Sequence, residues 1–227
     1  MIASGGDPPP GVAGRPRLIA FDLDGTLLDS RRDLADAAND TLALSGYSPL
    51  AVEAITRMVG EGAGVLLERA FAASGAAVPD GALATFLQFY DSRIAVHTRP
   101  YDGVPESLER LASWTTLAVV TNKPLKPTLG LLEHFGLAQY FVRVVGGDGP
   151  WPRKPDPAGL LALLAEMDVR PDEALFVGDS WVDLETARRA GVTPCLVRYG
   201  FGFDQIPPGM LNGRERIVNQ AKDLAGL

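Results

Sequence analysis

Phe21-Asp22-Leu23-Asp24-Gly25-Thr26-Leu27-Leu28-Asp29-Ser30 is the stretch that decides how the rest of this chain is read. Just before it, Leu18-Ile19-Ala20-Phe21 is a short apolar run of the kind that forms a buried strand. That strand ends in two carboxylates spaced i, i+2, followed at once by Gly25 and Thr26. Burying two like charges so close together is unfavourable unless a cation sits between them. A hard, oxygen-seeking divalent ion such as Mg²⁺ suits such a pair and usually contacts phosphate oxygens as well. Gly25 allows a tight turn off the strand, and Thr26 offers a hydroxyl at the same mouth. The plain alternative for Asp22 and Asp24 is an exposed turn with solvated acids.

The bulk composition sets the frame. The 227 residues suffice for one large domain or a core with an insert. A net charge of −7 and a pI near 4.9 argue against nucleic acid or an anionic membrane as the main partner. A single cysteine, Cys195, excludes an intrachain disulfide and fits a reducing compartment. Because it lies in the apolar run Thr193-Pro194-Cys195-Leu196-Val197, it is expected as a packed strand residue. No stretch has the length of a transmembrane helix. Residues 1–16 lack the basic and apolar regions of a secretory signal and, with their glycines and prolines, are expected as a disordered leader. The cytoplasm is the expected address, and the sequence does not give the oligomeric state.

After the first strand, about Arg17 to Asp22, Ser30 is placed to N-cap a helix carrying Leu34, Ala38 and Leu42. Three more helical stretches follow, Pro49 to Val59, one carrying Val65 to Ala70, and Pro79 to about Val96. No strand-like run appears between Ser30 and Thr98. Residues 30–98 are therefore expected as a small all-helical cap inserted after the first strand. Beyond the turn-rich Arg99 to Val104 the pattern alternates. Strands are expected at Thr116 to Val120, Phe141 to Val145, Ala174 to Val177 and Pro194 to Val197, with helices between them. Alternation of this kind predicts an α/β fold, a Rossmann-like parallel sheet with helices on both faces, built from 17–29 and 99–227.

Ligands bind outside the carboxyl ends of the strands in such sheets, and the remaining candidates fall there. Thr121-Asn122-Lys123 follows the second strand, either as a capped turn before Pro124 or as a hydroxyl and an amide donating to phosphate oxygens. In Arg153-Lys154-Pro155-Asp156-Pro157, Asp156 and Pro157 need only be a helix start, and Lys154 taken alone is a solvated lysine. Gly178-Asp179-Ser180-Trp181-Val182-Asp183 leaves the next strand, with Ser180 as a helix cap and Asp183 as a first-turn acid in the simplest reading. His97 and His134 have no ligand cluster beside them, so a serine or cysteine hydrolase triad is unsupported.

Four segments in this order resemble the motifs of the haloacid dehalogenase superfamily, beginning with D-x-D-G-T-[LV]-x-D-[ST] at residues 22–30. The resemblance runs from Arg17 onward. It implies Asp22 as nucleophile, Asp24 as general acid and base, and Lys154 as the lysine that neutralises phosphate and nucleophile. It also implies Thr121 and Asn122 as phosphate ligands and a Mg²⁺ site from Asp22, Asp24 (through its carbonyl), Asp179 and Asp183. Val59-Gly60-Glu61-Gly62-Ala63 and Leu66-Leu67-Glu68-Arg69-Ala70 resemble the cap signature of the phosphoglycolate phosphatase branch, where Asn is more usual at position 61. Substrate selection is thus expected at Gly60, Glu61 and Gly62, with Arg69 or Lys123 as the cation for a substrate carboxylate. The implied activity is Mg²⁺-dependent hydrolysis of a small phosphate ester such as 2-phosphoglycolate. A phosphosugar phosphatase or mutase, and a non-catalytic binding protein with the same fold, are the alternatives.

Overall fold

The computed structural model describes residues 15–93 and 95–227. Of the expected leader, only Arg15 and Pro16 fall among the described residues. The apolar run after them becomes β1 (Leu18–Phe21), all four residues buried. Two short strands, β2 (Leu28–Asp29) and β3 (Arg99–Pro100), pair antiparallel. Between them lie α1 (Arg31–Leu44), α2 (Val52–Thr56), α3 (Ala63–Ala73) and α4 (Ala82–Ser92). The rest of the chain alternates: α5 (Val104–Ala112), β4 (Thr116–Val120), α6 (Leu125–His134), β5 (Arg143–Val145), α7 (Ala158–Glu166), β6 (Ala174–Gly178), α8 (Trp181–Ala190), β7 (Thr193–Val197) and β8 (Arg216–Val218).

Six strands form one sheet in the order β5-β4-β1-β6-β7-β8, every pairing parallel. Counted along the chain, this is third-second-first-fourth-fifth-sixth, the doubly wound order. The direction of winding reverses beside β1, which pairs with β4 on one side and β6 on the other. A crevice therefore opens at the carboxyl ends of these three strands, where Asp22, Thr121 and Asp179 stand. Alternate strand residues face opposite layers, as the two-residue strand period requires. Ile19, Phe21, Val119 and Val177 pack with α5 and α6, while Leu18, Ala20, Ala118 and Phe176 pack with α7 and α8. Cys195 is fully buried in the first of these layers.

The four helices between β2 and β3 have a core of their own around Leu34, Leu42, Ile55, Leu67, Phe71 and Phe86. Asp33 fastens both chain crossings into this block. Its fully buried carboxylate accepts hydrogen bonds from the His97 and Thr98 backbone N–H groups and from the Thr98 hydroxyl at 2.7 Å. Three sequence expectations need correction. Ser30 does not cap α1 through its side chain, because its hydroxyl donates instead to Asp24 at 2.6 Å. The sheet does not end at β7, since the edge strand β8 adds to it. The second and fourth helices are shorter than their apolar pattern suggests, running only Val52–Thr56 and Ala82–Ser92. Among the described residues no helix is long and apolar enough to cross a membrane.

Candidate active site

β1 delivers Asp22 into the crevice, β6 delivers Asp179, and the first turn of α8 brings Asp183 beside them. Carboxylate oxygens of all three lie within 4.8 Å of one another, and all three residues are buried. The tight turn at Gly25 makes the approach feasible. Its φ is +89°, and a Cβ there would stand 2.0 Å from Asp179 Oδ2. Asp179 Oδ2 accepts the Gly202 N–H at 2.7 Å. Asp183 is more heavily engaged: Oδ2 accepts from the Ser180 hydroxyl and from the Asp179 and Ser180 N–H groups, while Oδ1 accepts from Lys154 at 2.6 Å. Ser180 returns the favour as the N-cap of α8.

One lysine serves this cluster. Lys154 Nζ lies 2.8 Å from Asp22 Oδ1 and 2.6 Å from Asp183 Oδ1. The contact with Asp22 is an ion pair by distance without hydrogen-bond alignment, so Asp22 Oδ1 is buried with no hydrogen bond. Burial, opposed by Lys154 and reinforced by Asp183 and Asp24, pushes the Asp22 carboxyl up to about 6. Burial, then Asp183 and Asp22, raises Asp179 well above the usual carboxylate range. Burial alone would lower the Lys154 ammonium, yet Asp183 and Asp22 hold it raised. Three carboxylates with one cation are gathered in a buried pocket. An unhydrogen-bonded carboxylate oxygen among them is a donor set that fits a hard divalent cation.

Asp24 does not join that cluster through its side chain. Its carboxylate is held by Ser30 and by Lys123 Nζ at 3.0 and 3.1 Å, so Lys123 is paired inside the site and is not a free cation. Lys123 is itself buried and stands 4.3 Å from the ring centroid of Tyr90 on α4. Thr121 is buried at the end of β4, its Oγ1 accepting only a long contact from the Lys123 N–H at 3.3 Å. Asn122 is placed differently from its reading as a phosphate donor. Its Oδ1 accepts the Lys154 N–H, and its Nδ2 donates to the carbonyls of Lys154 and Gly60, all within 2.9 Å. Both amide protons are therefore used in bolting the Gly60 loop and the Lys154 loop to β4.

A cavity of about 50 Å³ lies between the core and the helical block. From the core it is lined by Asp22, Asp24, Thr121, Asn122 and Lys123, and from the block by Leu34, Val59, Leu66, Phe86 and Tyr90. Gly60 and Gly62 reach its wall with φ of +125° and +96°. Glu61 and Arg69 do not line it. They pair with each other, and Arg69 also donates to the Met58 carbonyl. Two residues here escaped the sequence reading. Arg153 packs against Gly62, its side chain 3.4 Å from where a Cβ would be, and its place beside Lys154 was the only signal. Tyr90 falls within the helical stretch expected from Pro79 to about Val96, and nothing in the sequence marks its hydroxyl.

Buried acids gathered around one lysine at the switch point of a parallel sheet stand where doubly wound folds bind their ligands. Comparison with known proteins gives the class. The haloacid dehalogenase-like hydrolase family matches residues 19–197. A phosphoglycolate phosphatase of Rhodospirillum rubrum is 45% identical over 200 residues, covering 84% of this chain and 83% of that protein. Phosphoglycolate phosphatase 1 of Pseudomonas aeruginosa is 40% identical over 193 residues, covering 82% and 71%. The crystal structure of a predicted phosphoglycolate phosphatase from Haemophilus somnus superposes with a TM-score of 0.87 at 30% identity, covering 95% of this chain and 99% of that one. The chain belongs to the haloacid dehalogenase-like hydrolase family. Within that family it is an enzyme of the phosphatase class.

Proposed function

We propose that this protein is a cytoplasmic, Mg²⁺-dependent phosphomonoesterase that works through an aspartyl-phosphate on Asp22, with 2-phosphoglycolate as its preferred substrate. The observation that carries the reading is the buried trio of Asp22, Asp179 and Asp183, two of them paired with Lys154. Asp22, Asp179 and the Asp24 carbonyl would hold the ion, with Asp183 fixing Lys154 and the turn behind them. When bound, Mg²⁺ offsets the like charges and clamps a phosphoryl oxygen.

The chain's own groups account for the rest. An Asp22 carboxylate oxygen attacks phosphorus, the ester P–O bond breaks, and the leaving oxygen takes a proton from Asp24. Asp24 then takes a proton from the water that attacks the aspartyl-phosphate, which releases inorganic phosphate and restores Asp22. Splitting the reaction in this way replaces one hard displacement by two easier ones. Ser30 and Lys123 hold Asp24 in place, and the Thr121 hydroxyl donates to a phosphoryl oxygen. Residues 30–98 act as a cap that excludes water and selects the leaving group. The apolar cap wall offers few partners to the hydroxyls of a sugar, which favours a short leaving group. The similarity to phosphoglycolate phosphatases supports 2-phosphoglycolate as the particular ester.

The metal is tested apart from turnover. Asp22 and Asp179 have folded-state pKa values above those of an unfolded chain, so their contribution favours the fold at low pH and is lost as pH rises, for Asp22 through about 6. Metal-free protein should therefore gain more thermal stability from Mg²⁺ at pH 8 than at pH 5.5, and EDTA should silence phosphate release. Equal melting temperatures with Mg²⁺ and with EDTA at pH 8, or full activity in chelated protein, would remove the metal from the reading.

The proton has its own test. Asp24→Asn keeps the size of the side chain and should lower kcat for 2-phosphoglycolate by about 10²–10⁴-fold. The loss should be much smaller for p-nitrophenyl phosphate, whose leaving group needs no proton. Equal losses on the two esters would count against the leaving-group role.

A further inference from the structure

Tyr90 is the one polar side chain among the cap residues that line the cavity. It is only 2% exposed, and its hydroxyl makes no aligned hydrogen bond, although the Lys123 ammonium lies beside it. The ring is fixed by a parallel stack on Phe86, with centroids 6.0 Å apart. The wall around it is Leu34, Val59, Leu66 and Phe86, none of which can accept a hydrogen bond. A buried hydroxyl left unpaired is unfavourable, and folded proteins rarely keep one without a use. Phenylalanine would fill the same space in this wall at no such cost.

The surroundings indicate what the hydroxyl would meet. Burial pushes its pKa up to about 12, so it keeps its proton and can donate. Lys123 lies 4.3 Å from the ring and directs its ammonium to both oxygens of Asp24. A cation on that side turns the phenol lone pairs toward itself and the proton away from it. The phosphoryl end of a substrate is claimed by Asp22, Thr121 and Lys154 from the core loops, so a group on α4 faces the leaving end.

We infer that Tyr90 is a specificity-determining residue, its hydroxyl donating to a carboxylate oxygen at the end of the leaving group remote from phosphorus. The inference rests on the phosphomonoesterase reading given above. A carboxylate fits better than a chain of hydroxyls, because a single donor meets one terminal acceptor and the apolar wall offers partners to nothing else. A site built around one such hydrogen bond discriminates strongly against analogues that lack the acceptor.

The test compares 2-phosphoglycolate with ethyl phosphate, which has the same length and no carboxylate, on wild type and Tyr90→Phe with Mg²⁺. The wild type should prefer 2-phosphoglycolate, and the ratio of the two kcat/KM values should fall at least about tenfold in the variant. The melting temperature of Tyr90→Phe should equal or exceed that of wild type, since only an unpartnered hydroxyl is removed. An unchanged ratio, or a wild type indifferent to the carboxylate, overturns the role of Tyr90 while leaving a working phosphatase. A lower melting temperature overturns it too, by assigning the hydroxyl a partner within the protein. Failure of wild type to release phosphate from either ester or from p-nitrophenyl phosphate removes the phosphomonoesterase reading, and this inference with it.

Discussion

Asp22→Asn should abolish phosphate release, by about 10⁴-fold or more, and at the same time make the metal-free protein more stable. The two outcomes have one cause. Asp22 is a buried carboxylate whose pKa is pushed up to about 6, chiefly by burial and then by Asp183 and Asp24 against the pull of Lys154. A neutral amide of the same shape removes that unfavourable charge and also removes the proposed nucleophile. Lys154 is not stranded by the change, because Asp183 still accepts from it at 2.6 Å. The variant should therefore melt higher than wild type in EDTA at pH 8 and gain less from added Mg²⁺. Those two melting curves separate a catalytic loss from misfolding. Substantial turnover in purified Asp22→Asn would refute the aspartyl-phosphate, and a lower melting point in EDTA would refute the account of the charge cluster.

The parts of this architecture that were legible in the sequence share a physical reason. Each apolar run that is buried on both faces of the sheet, such as Leu18–Phe21 or Ala174–Gly178, ends abruptly at polar residues, and that contrast survives in one dimension. The doubly wound order then brings those polar ends together, so Asp22, Thr121 and Asp179 meet although they are far apart in the chain. β8 was not legible because Arg216–Val218 is three residues at a sheet edge with only Val218 buried. Helix ends were blurred where turn geometry decides them, as at Gly81, whose left-handed conformation sets the start of α4 at Ala82, three residues past Pro79.

Side-chain partnerships were less legible than positions. Ser30 looks like a helix cap from its type and place, but a carboxylate six residues earlier competes for the same hydroxyl. Asn122 looks like a phosphate donor, but its two protons go to carbonyls that only folding brings within reach. Lys123 and Arg69 carry equal charge in the sequence. One is buried against Asp24, and the other lies half-exposed against Glu61 outside the cavity. That difference belongs to the packing of the helical block on the core, and residue spacing does not encode it.

Lys154→Met tests the same charge cluster from the opposite side, with both outcomes large. The side chain is buried and is the cation that two buried carboxylates share, at 2.8 and 2.6 Å. Methionine fills the volume but leaves Asp22 and Asp183 uncompensated. Breaking a buried ion pair by removing one partner costs about 3–5 kcal/mol, which for a chain of this size is a fall of about 6–20 °C in melting temperature. Activity should drop by about 10²–10³-fold or more, because charge on the transferring group loses its fixed cation. Lower pH should restore part of the lost stability by protonating the carboxylates, and Mg²⁺ should do so by supplying charge. Removing Asp22 as well should do the same, so the double variant Asp22→Asn/Lys154→Met should be more stable than Lys154→Met alone. Strict additivity of the two single changes would mean that the residues do not share their charge. Asp22→Asn and Lys154→Met both silence the enzyme, yet they should move the metal-free fold in opposite directions. A general loosening of the site would move it down in both.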